Sequence, residues 1–442
     1  MDTIVACATP WGRSAVAVVR LSGPNTKEVV NAVCEPVGGI PPYRRSRLTK
    51  LRDAGGYFDD GLLTVFESKS SYTGEDSAEI STHGNPLIVE RLISACVSAG
   101  ARVAIEGEFT RRAFLNGRLD LTRAEAVLQA IDASSTRGLE VARQGLSGEV
   151  ASWIDGLRHR LTHIIAELEA LLDYPGEELV DDNEEGLMQS LLAIAKESRG
   201  AANTFKVGRV LVDGATVALV GPVNAGKSSL FNKLGGSVRA LVSDQPGTTR
   251  DVVERRIVLD SVAITLLDTA GERVDAAGLE EAGIELGRSL TKNVDLVVVV
   301  IPAHDLSAGT DILEATKGRN RIVVANHSDR LGADQMLGSE MIMTSALSGS
   351  GLSDLSAAIT ESLVGEAHGN AEVVIASSRQ RDLLLKVESN IRAALEALAS
   401  VGGVAVAAEE LYGALGPLDA IIGRDSRESV LDALFSRFCI GK

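Results

Sequence analysis

The residues best placed by type and spacing to do chemistry lie near the middle of the chain. There Gly221-Pro222-Val223-Asn224-Ala225-Gly226-Lys227-Ser228 forms a GxxxxGKS pattern, followed by Ser229. Glycines in such a loop let backbone amides close around phosphate groups, and a helix starting at the lysine adds its positive N-terminal dipole. Lys227 is predicted to bridge the β- and γ-phosphates of a nucleotide, and Ser228 to ligate Mg2+ through its hydroxyl. In a chain with 44 glycines the pattern can arise by chance. The apolar run Thr216 to Val220 directly before it supplies the strand that the loop requires.

Three further elements follow in order. Asp268-Thr269-Ala270-Gly271 closes an apolar run, where a carboxylate can hold Mg2+ through water and a glycine amide can meet the γ-phosphate. Asn326-His327-Ser328-Asp329 ends the run Ile322 to Ala325, and Asp329 can accept from the ring N–H and amino group of guanine, a donor pair that adenine lacks. Ser345-Ala346-Leu347 closes the next run and offers a backbone amide to the guanine oxygen. Together, at successive strand ends, they predict a G domain with guanine as the base. His327 occupies a position where this kind of site commonly has lysine, whose stem covers the guanine face; weaker GTP affinity is expected.

Between these lies Ser243-Asp244-Gln245-Pro246-Gly247-Thr248-Thr249-Arg250-Asp251, with the composition of a switch that folds over the γ-phosphate. Thr249 is the predicted second side-chain ligand of Mg2+. In Ras-like GTPases a glutamine follows the DxxG glycine and orients the attacking water. Here that position is Glu272, so another group is expected to drive hydrolysis.

These motifs need a scaffold, and the rest of the chain supplies one. With 442 residues, 45% of them hydrophobic, the chain is long enough for two or three domains. Runs at Ala15 to Leu21, Gly61 to Phe66 and Asp76 to Ser81 suggest a small α+β domain over 1–118. Thr122-Arg123-Ala124-Glu125 has capping-box spacing and opens a helical stretch to about Tyr174, with one apolar face from Ile154 to Leu172. An acidic loop, Glu177 to Glu185, precedes another helical segment ending near Phe205, giving a helical region over 119–212. From 213 to 370 runs at Thr216 to Val220, Arg255 to Asp268, Asp295 to Ile301, Ile322 to Asn326 and Met341 to Ser345 alternate with helical patterns and predict a mostly parallel sheet. Helical periodicity returns over 371–442, including Arg379 to Leu398 and a last helix capped by Asp425 or Ser426. The fold class expected is multidomain α/β: an N-terminal α+β domain, and a Ras-like P-loop G domain inserted into a helical domain.

A net charge of -16 argues against sheathing nucleic acid non-specifically. The basic cluster Arg44, Arg45, Arg47 and Lys50 reads as a solvated strand edge before it reads as an RNA contact. Cys7, Cys34, Cys96 and Cys439 are scattered, without metal-ligand or disulfide spacing, as in a reduced compartment. No run is long enough to span a bilayer and the start lacks a secretory pattern, so a cytoplasmic protein is expected.

Asn224 together with the Pro246-Gly247-Thr248-Thr249-Arg250-Asp251 switch resembles the potassium-activated GTPases. That resemblance implies K+ ligands at Asn224, Ser243, Gln245 and Thr248, with the ion where an arginine finger would otherwise act. Without the switch sequence Asn224 reads first as a buttress of the loop; with it, the K+ reading leads. Across its whole length the chain resembles the MnmE family. At the front this rests on Asp2-Thr3-Ile4-Val5-Ala6, Ala8-Thr9-Pro10, Arg20-Leu21-Ser22-Gly23, Tyr72-Thr73-Gly74-Glu75-Asp76, His83-Gly84 and Gly107-Glu108-Phe109-Thr110. At the back it rests on Phe438-Cys439-Ile440-Gly441-Lys442.

The family resemblance implies a catalytic Glu280, placed through the Gly283-Ile284-Glu285 segment, with Glu281 beside it. It implies a homodimer, a flavin-dependent partner of the MnmG type in a heterotetramer, tRNA as substrate, and modification of wobble uridine 34. It also implies a tetrahydrofolate one-carbon donor, 5-formyl or 5,10-methylene, at Arg20, Glu79, Arg118 and Lys442. Cations suit the folate glutamate and a carboxylate suits the pterin donor edge, although each residue taken alone reads first as part of a surface ion pair. Cys439 is read as a small buried hydrophobe of an amphipathic C-terminal helix, with a role in the chemistry left open. A ribosome-assembly GTPase would share the nucleotide motifs but should carry a basic RNA-binding domain. A septin- or dynamin-like assembly switch would lack the N-terminal motifs.

Overall fold

The computed structural model describes residues 2–173, 181–237, 253–268, 294–331, 341–365, 373–400, 403–425 and 427–442. They form two compact units, one of residues 1–128 with 419–442 and one of residues 129–418.

The first unit is built on a seven-stranded sheet, β1 Ile4–Cys7, β2 Ser14–Ser22, β3 Cys34–Pro36, β4 Ser46–Asp53, β5 Gly56–Phe66, β6 Ser77–Gly84 and β7 Arg102–Val103, in the order β3-β4-β5-β6-β2-β1-β7. Alternation decides its faces: Ala17, Val19 and Leu21 of β2 and Ala78 and Ile80 of β6 point into one core. Helices α1 Thr26–Val33 and α2 Pro86–Ser98 cover that core. Cys34 and Cys96 lie in it, and burial pushes both thiols up to about 12, so they are inert packing groups. The basic cluster is not on an edge. β4 lies between β3 and β5, Lys50 stands opposite Asp60, and Arg47 donates to the carbonyls of the Gly38–Gly39 turn.

Helix α3 Glu108–Leu115 and the start of α4 Leu121–Asp132 pack with the C-terminal helix Glu428–Phe435 around Phe114, Leu121, Leu434, Phe435 and Phe438. The cap of α4 differs from the capping box expected at Thr122. Asp120 is the capping residue, accepting from Arg123 N at 2.9 Å and from the Thr122 hydroxyl, while Thr122 and Glu125 are buried inside the helix. A carboxylate at N-cap outcompetes a hydroxyl two residues on. The C-terminal helix starts beyond the caps expected at Asp425 or Ser426. Its N-cap position is Arg427, with no side-chain capping bond.

The helical stretch expected from Thr122 to about Tyr174 is three helices, not one: α4 ends at Asp132, and two more follow in the second unit. α5 Thr136–Ser147 is capped by Ser135, whose hydroxyl accepts from Gly138 N, and ends at Gly148, with φ 88°. α6 Glu149–Asp173 then buries Ile154, Leu157, Leu161, Ile164, Ile165 and Leu168 on one face. After α7 Asp181–Asn203, a short α8 Phe205–Asp213 leads into the sheet.

The sheet strands are β8 Ala215–Val220, β9 Val253–Leu259, β10 Val262–Asp268, β11 Leu296–Pro302, β12 Arg321–Asn326 and β13 Ile342–Met343, ordered β13-β12-β11-β8-β10-β9. The run from Arg255 to Asp268 is a hairpin, not one strand. Asp260 and Ser261 both take positive φ, as a two-residue turn between right-twisted strands requires, and β9 is the antiparallel member. The other neighbouring pairs are parallel. Val217, Leu219, Val298 and Val300 pack on one face, and Ala218, Val220, Val297 and Val299 on the other, as a sheet covered on both sides demands. Helices α9 Lys227–Ser237, α10 Thr310–Ala315 and α11 Leu352–Val364 flank it, and α12 Ser378–Leu398 and α13 Val404–Ile422 follow. α12 packs along α7, so helices on either side of the α/β segment meet in space. The α/β sheet is thus an insertion within a helical layer.

Candidate functional site

Parallel strands bring their C-terminal ends to one rim of the sheet, the usual place for a ligand crevice in such folds. β8 ends in the Gly221–Ser228 loop, β10 in Asp268, β12 in Asn326, and β13 leads to Ser345. The loop needs its glycines here. A Cβ on Gly221 would lie 2.1 Å from the Val300 carbonyl, and one on Gly226, at φ +85°, would lie 2.3 Å from Asn326 Nδ2. Asn224 also takes a left-handed conformation, φ 63°.

Lys227 opens α9 and is buried, its ammonium donating to the carbonyls of Gly221 at 2.8 Å and Pro222 at 2.9 Å. Burial lowers its pKa, opposed by the attraction of the buried Asp268 carboxylate. A desolvated cation curled into the loop gains strongly from an anion arriving there. Ser228 and Ser229 are exposed at the helix start.

The base-reading residues are tied to this loop by hydrogen bonds. Fully buried Asn326 donates from Nδ2 to the Ala225 carbonyl at 2.9 Å; its Oδ1 accepts from Ala346 N and the Thr344 hydroxyl, both at 3.2 Å. The Ser345 hydroxyl donates to Asp329 Oδ1, and this bond holds the carboxyl below its ordinary range. Asp329 is therefore ionised, acceptor-only and exposed at the rim, in the form that two adjacent guanine donors require. Leu347 projects into solvent beyond it. Two residues escaped the motif reading: Thr344, which fixes the Asn326 amide, and His304, whose ring stacks on His327 at 6.1 Å between centroids and 15° between planes. Nothing in their spacing marks them; only the strand ends bring them in.

Ser243, Asp244, Gln245, Pro246, Gly247, Thr248 and Thr249 of the switch, Thr269, Ala270 and Gly271, and the hydrolysis candidates Glu272, Glu280 and Glu281 lie outside the described residues.

A second cluster occupies the first unit. Arg20 and Glu79 stand opposite each other on β2 and β6 and form a bidentate-donor pair, Nε at 3.0 Å and Nη2 at 2.9 Å from Glu79 Oε1. The same guanidinium donates to the Gly441 carbonyl at 3.2 Å and lies 5.9 Å from the Tyr72 ring and 5.8 Å from the Phe109 ring. The terminal segment is anchored beside it: Phe109 N donates to the Lys442 carbonyl, Ile440 bridges to Glu106, and a Cβ on Gly441 would strike the Cys7 carbonyl. Arg118 donates to the Lys69 carbonyl, close to Gly74 on the loop that carries Tyr72. Arg20 and Glu79 therefore act as one ion-paired unit instead of two separated handles. Cys439 lies past the end of the C-terminal helix and is exposed, so it is not the buried helix residue expected. Among the described residues no group of three or more His, Cys, Asp or Glu is placed to hold a metal, and no helix is long and apolar enough to cross a membrane.

Comparison with known proteins matches both units. The N-terminal model described as "GTP-binding protein TrmE N-terminus" matches residues 3–118, and the "MnmE helical domain" model matches residues 121–439. The tRNA modification GTPase MnmE of Opitutus terrae is 39% identical over 457 aligned positions, covering 100% of this chain and 99% of the relative. That of Thermotoga maritima is 36% identical, covering 100% of both. Among solved structures, the G domain of the T. maritima FeoB iron transporter matches 34% of this chain and 98% of that one, with 27% identity and a TM-score of 0.27. Full-length identity above a third, together with two family models that between them span nearly every residue, means that the chain belongs to the MnmE family of tRNA modification GTPases.

Proposed function

We propose that this chain binds and hydrolyses GTP at the P-loop rim and couples that cycle to modification of C5 of wobble uridine 34 in tRNA. The observation that carries the nucleotide half is the hydrogen-bonded tie from Asp329 and Ser345, through Asn326, to Ala225 in the phosphate loop. It fixes base reader and phosphate cradle as one piece. The modification half is carried by membership of a family whose relatives are named tRNA modification GTPases over their full length.

Hard oxygen donors suit Mg2+, and the exposed Ser228 hydroxyl with the buried Asp268 carboxylate fits it; Thr249 would complete the side-chain set. The ion would neutralise charge on the β- and γ-phosphates. K+ would be held by Asn224 with Ser243, Gln245 and Thr248, and Glu280 would orient the attacking water. The Arg20–Glu79 pair, backed by buried Phe109 and beside exposed Tyr72, fits the heterocyclic end of a tetrahydrofolate derivative: a carboxylate held in place by its guanidinium accepts from ring donors, and Tyr72 offers an aromatic face. Arg118 and Lys442 would add positive charge, and the folate would supply the one-carbon unit. The working assembly in this reading is a cytoplasmic homodimer joined by an MnmG-type flavoprotein into a heterotetramer.

The test is GTP turnover by the full chain in KCl and in NaCl, with Glu280→Gln alongside. Turnover in K+ should exceed that in Na+. Glu280→Gln should lower it by about 10²–10³-fold, the usual effect of removing one group that acts in the transition state, with GTP binding retained. Normal turnover in that variant would return the role to Glu272 or Glu281. Equal rates in the two salts would remove K+.

A further inference from the structure

His327 is this chain's own departure at the base-reading turn. It takes a left-handed backbone, φ 66°, and its Nε2 lies against the phosphate loop, only 2.7 Å from where a Cβ on Gly226 would sit. The near-parallel His304 ring covers one side of the imidazole. His327 Nδ1 is buried and has no hydrogen-bond partner among the described residues. The ring is therefore held by packing against the loop and His304, not by a hydrogen bond at Nδ1.

The charged groups around the ring can be named from each side. On its own turn are Asp329 and Arg330. From the loop after β11 come His304 and, next to it, Asp305. The phosphate loop that the ring touches at Gly226 ends in Lys227, whose ammonium is turned to the Gly221 and Pro222 carbonyls. Burial lowers the His327 pKa below 6.5, Arg330 and His304 lower it further, and Asp329 opposes them. The ring is accordingly neutral at pH 7, where a lysine would carry a permanent cation.

We propose that His327, braced by His304, contacts the bound guanine nucleotide, and that protonation of its ring tightens that binding. The inference rests on reading this rim as a guanine-nucleotide site. A nucleotide brings phosphate anions to the loop that His327 touches and an oxygen-rich ribose to the rim. Nearby anions favour the imidazolium, which carries a positive charge and a second N–H that the neutral ring lacks. The sign follows from linkage. If the pKa is higher with nucleotide bound than free, binding takes up protons, and affinity rises as pH falls. The rise begins at the bound-state pKa and levels off below the free-state value, which is under 6.5.

The experiment is calorimetric titration of the full chain with GDP and Mg2+ between pH 7.5 and 5.5, in buffers of different ionisation enthalpy. His327→Gln reports the nucleotide's own protonation. Relative to that variant, wild-type affinity should rise about three- to tenfold over the range, as expected for one group shifted by up to one unit, with proton uptake on binding near pH 6.5. His304→Gln should move the rise to higher pH by removing a neighbouring cation. His327→Lys should bind more tightly at pH 7.5 and follow the pH course of His327→Gln. A wild-type pH course equal to that of His327→Gln overturns the inference and leaves the guanine site standing. No GDP binding by wild type at any pH overturns both. If His327→Gln does not fold, wild-type proton uptake compared with His327→Lys still decides between the outcomes.

Discussion

Replacing Asp329 with Asn is expected to cut guanine-nucleotide affinity by at least about 10²-fold while improving that for xanthine nucleotides. Sites built to hydrogen-bond a polar group reject a mismatched partner by orders of magnitude, because buried groups are left unpaired. The ionised carboxylate offers two acceptors to the ring N–H and amino group of guanine. An asparagine amide offers one acceptor and one donor, which opposes the guanine amino group but matches the carbonyl that xanthine carries there. The Ser345 hydroxyl that now donates to Asp329 can donate equally to an amide oxygen, so the side chain should keep its place. Competition of GDP and XDP for the same site measures the exchange. Unchanged GDP affinity in the variant would remove Asp329 from base recognition.

The second large effect is expected at Lys227. Alanine there should lower GTP turnover by about 10²–10³-fold, the scale of losing one preorganised charge at a phosphoryl centre. Because the ammonium is buried and, among the described residues, bonded to the Gly221 and Pro222 carbonyls, its removal also relieves a desolvation cost. The melting temperature should therefore change by no more than a few degrees, as for substitutions of about 1 kcal/mol or less. Loss of turnover with the fold intact would place the lysine in the phosphate machinery. Retained turnover would take it out.

The nucleotide rim was legible because its chemistry is local. A GxxxxGKS loop, DxxG, an Asn-x-x-Asp turn and a Ser-Ala-Leu turn each close a strand, and the parallel sheet brings those ends together without further information. The N-terminal cluster was legible only through resemblance, since Arg20, Glu79 and Gly441 are joined by strand pairing and a 421-residue separation that no local pattern encodes. Other features depended on competition between neighbours. Asp120 caps α4 because a carboxylate stands two residues ahead of the hydroxyl at Thr122. The segment from Arg255 to Asp268 is a hairpin because Asp260 and Ser261 accept positive φ, although neither is glycine. His304 was invisible as a partner of His327, since 22 residues and a whole strand separate them. The position of Cys439 turned on where the last helix stops, and helix ends are set by caps and packing more than by periodicity.

The proposed function joins a guanine-nucleotide switch to a change in tRNA. It is tested most directly by mass spectrometry of wobble nucleosides in tRNA from cells that lack this chain, compared with the same cells carrying it. The C5-substituted uridine at position 34 should disappear without the chain and return when it is supplied, but not when Lys227→Ala is supplied. A wobble uridine carrying the same modification in its absence would contradict the tRNA half, leaving a GTPase whose work lies elsewhere.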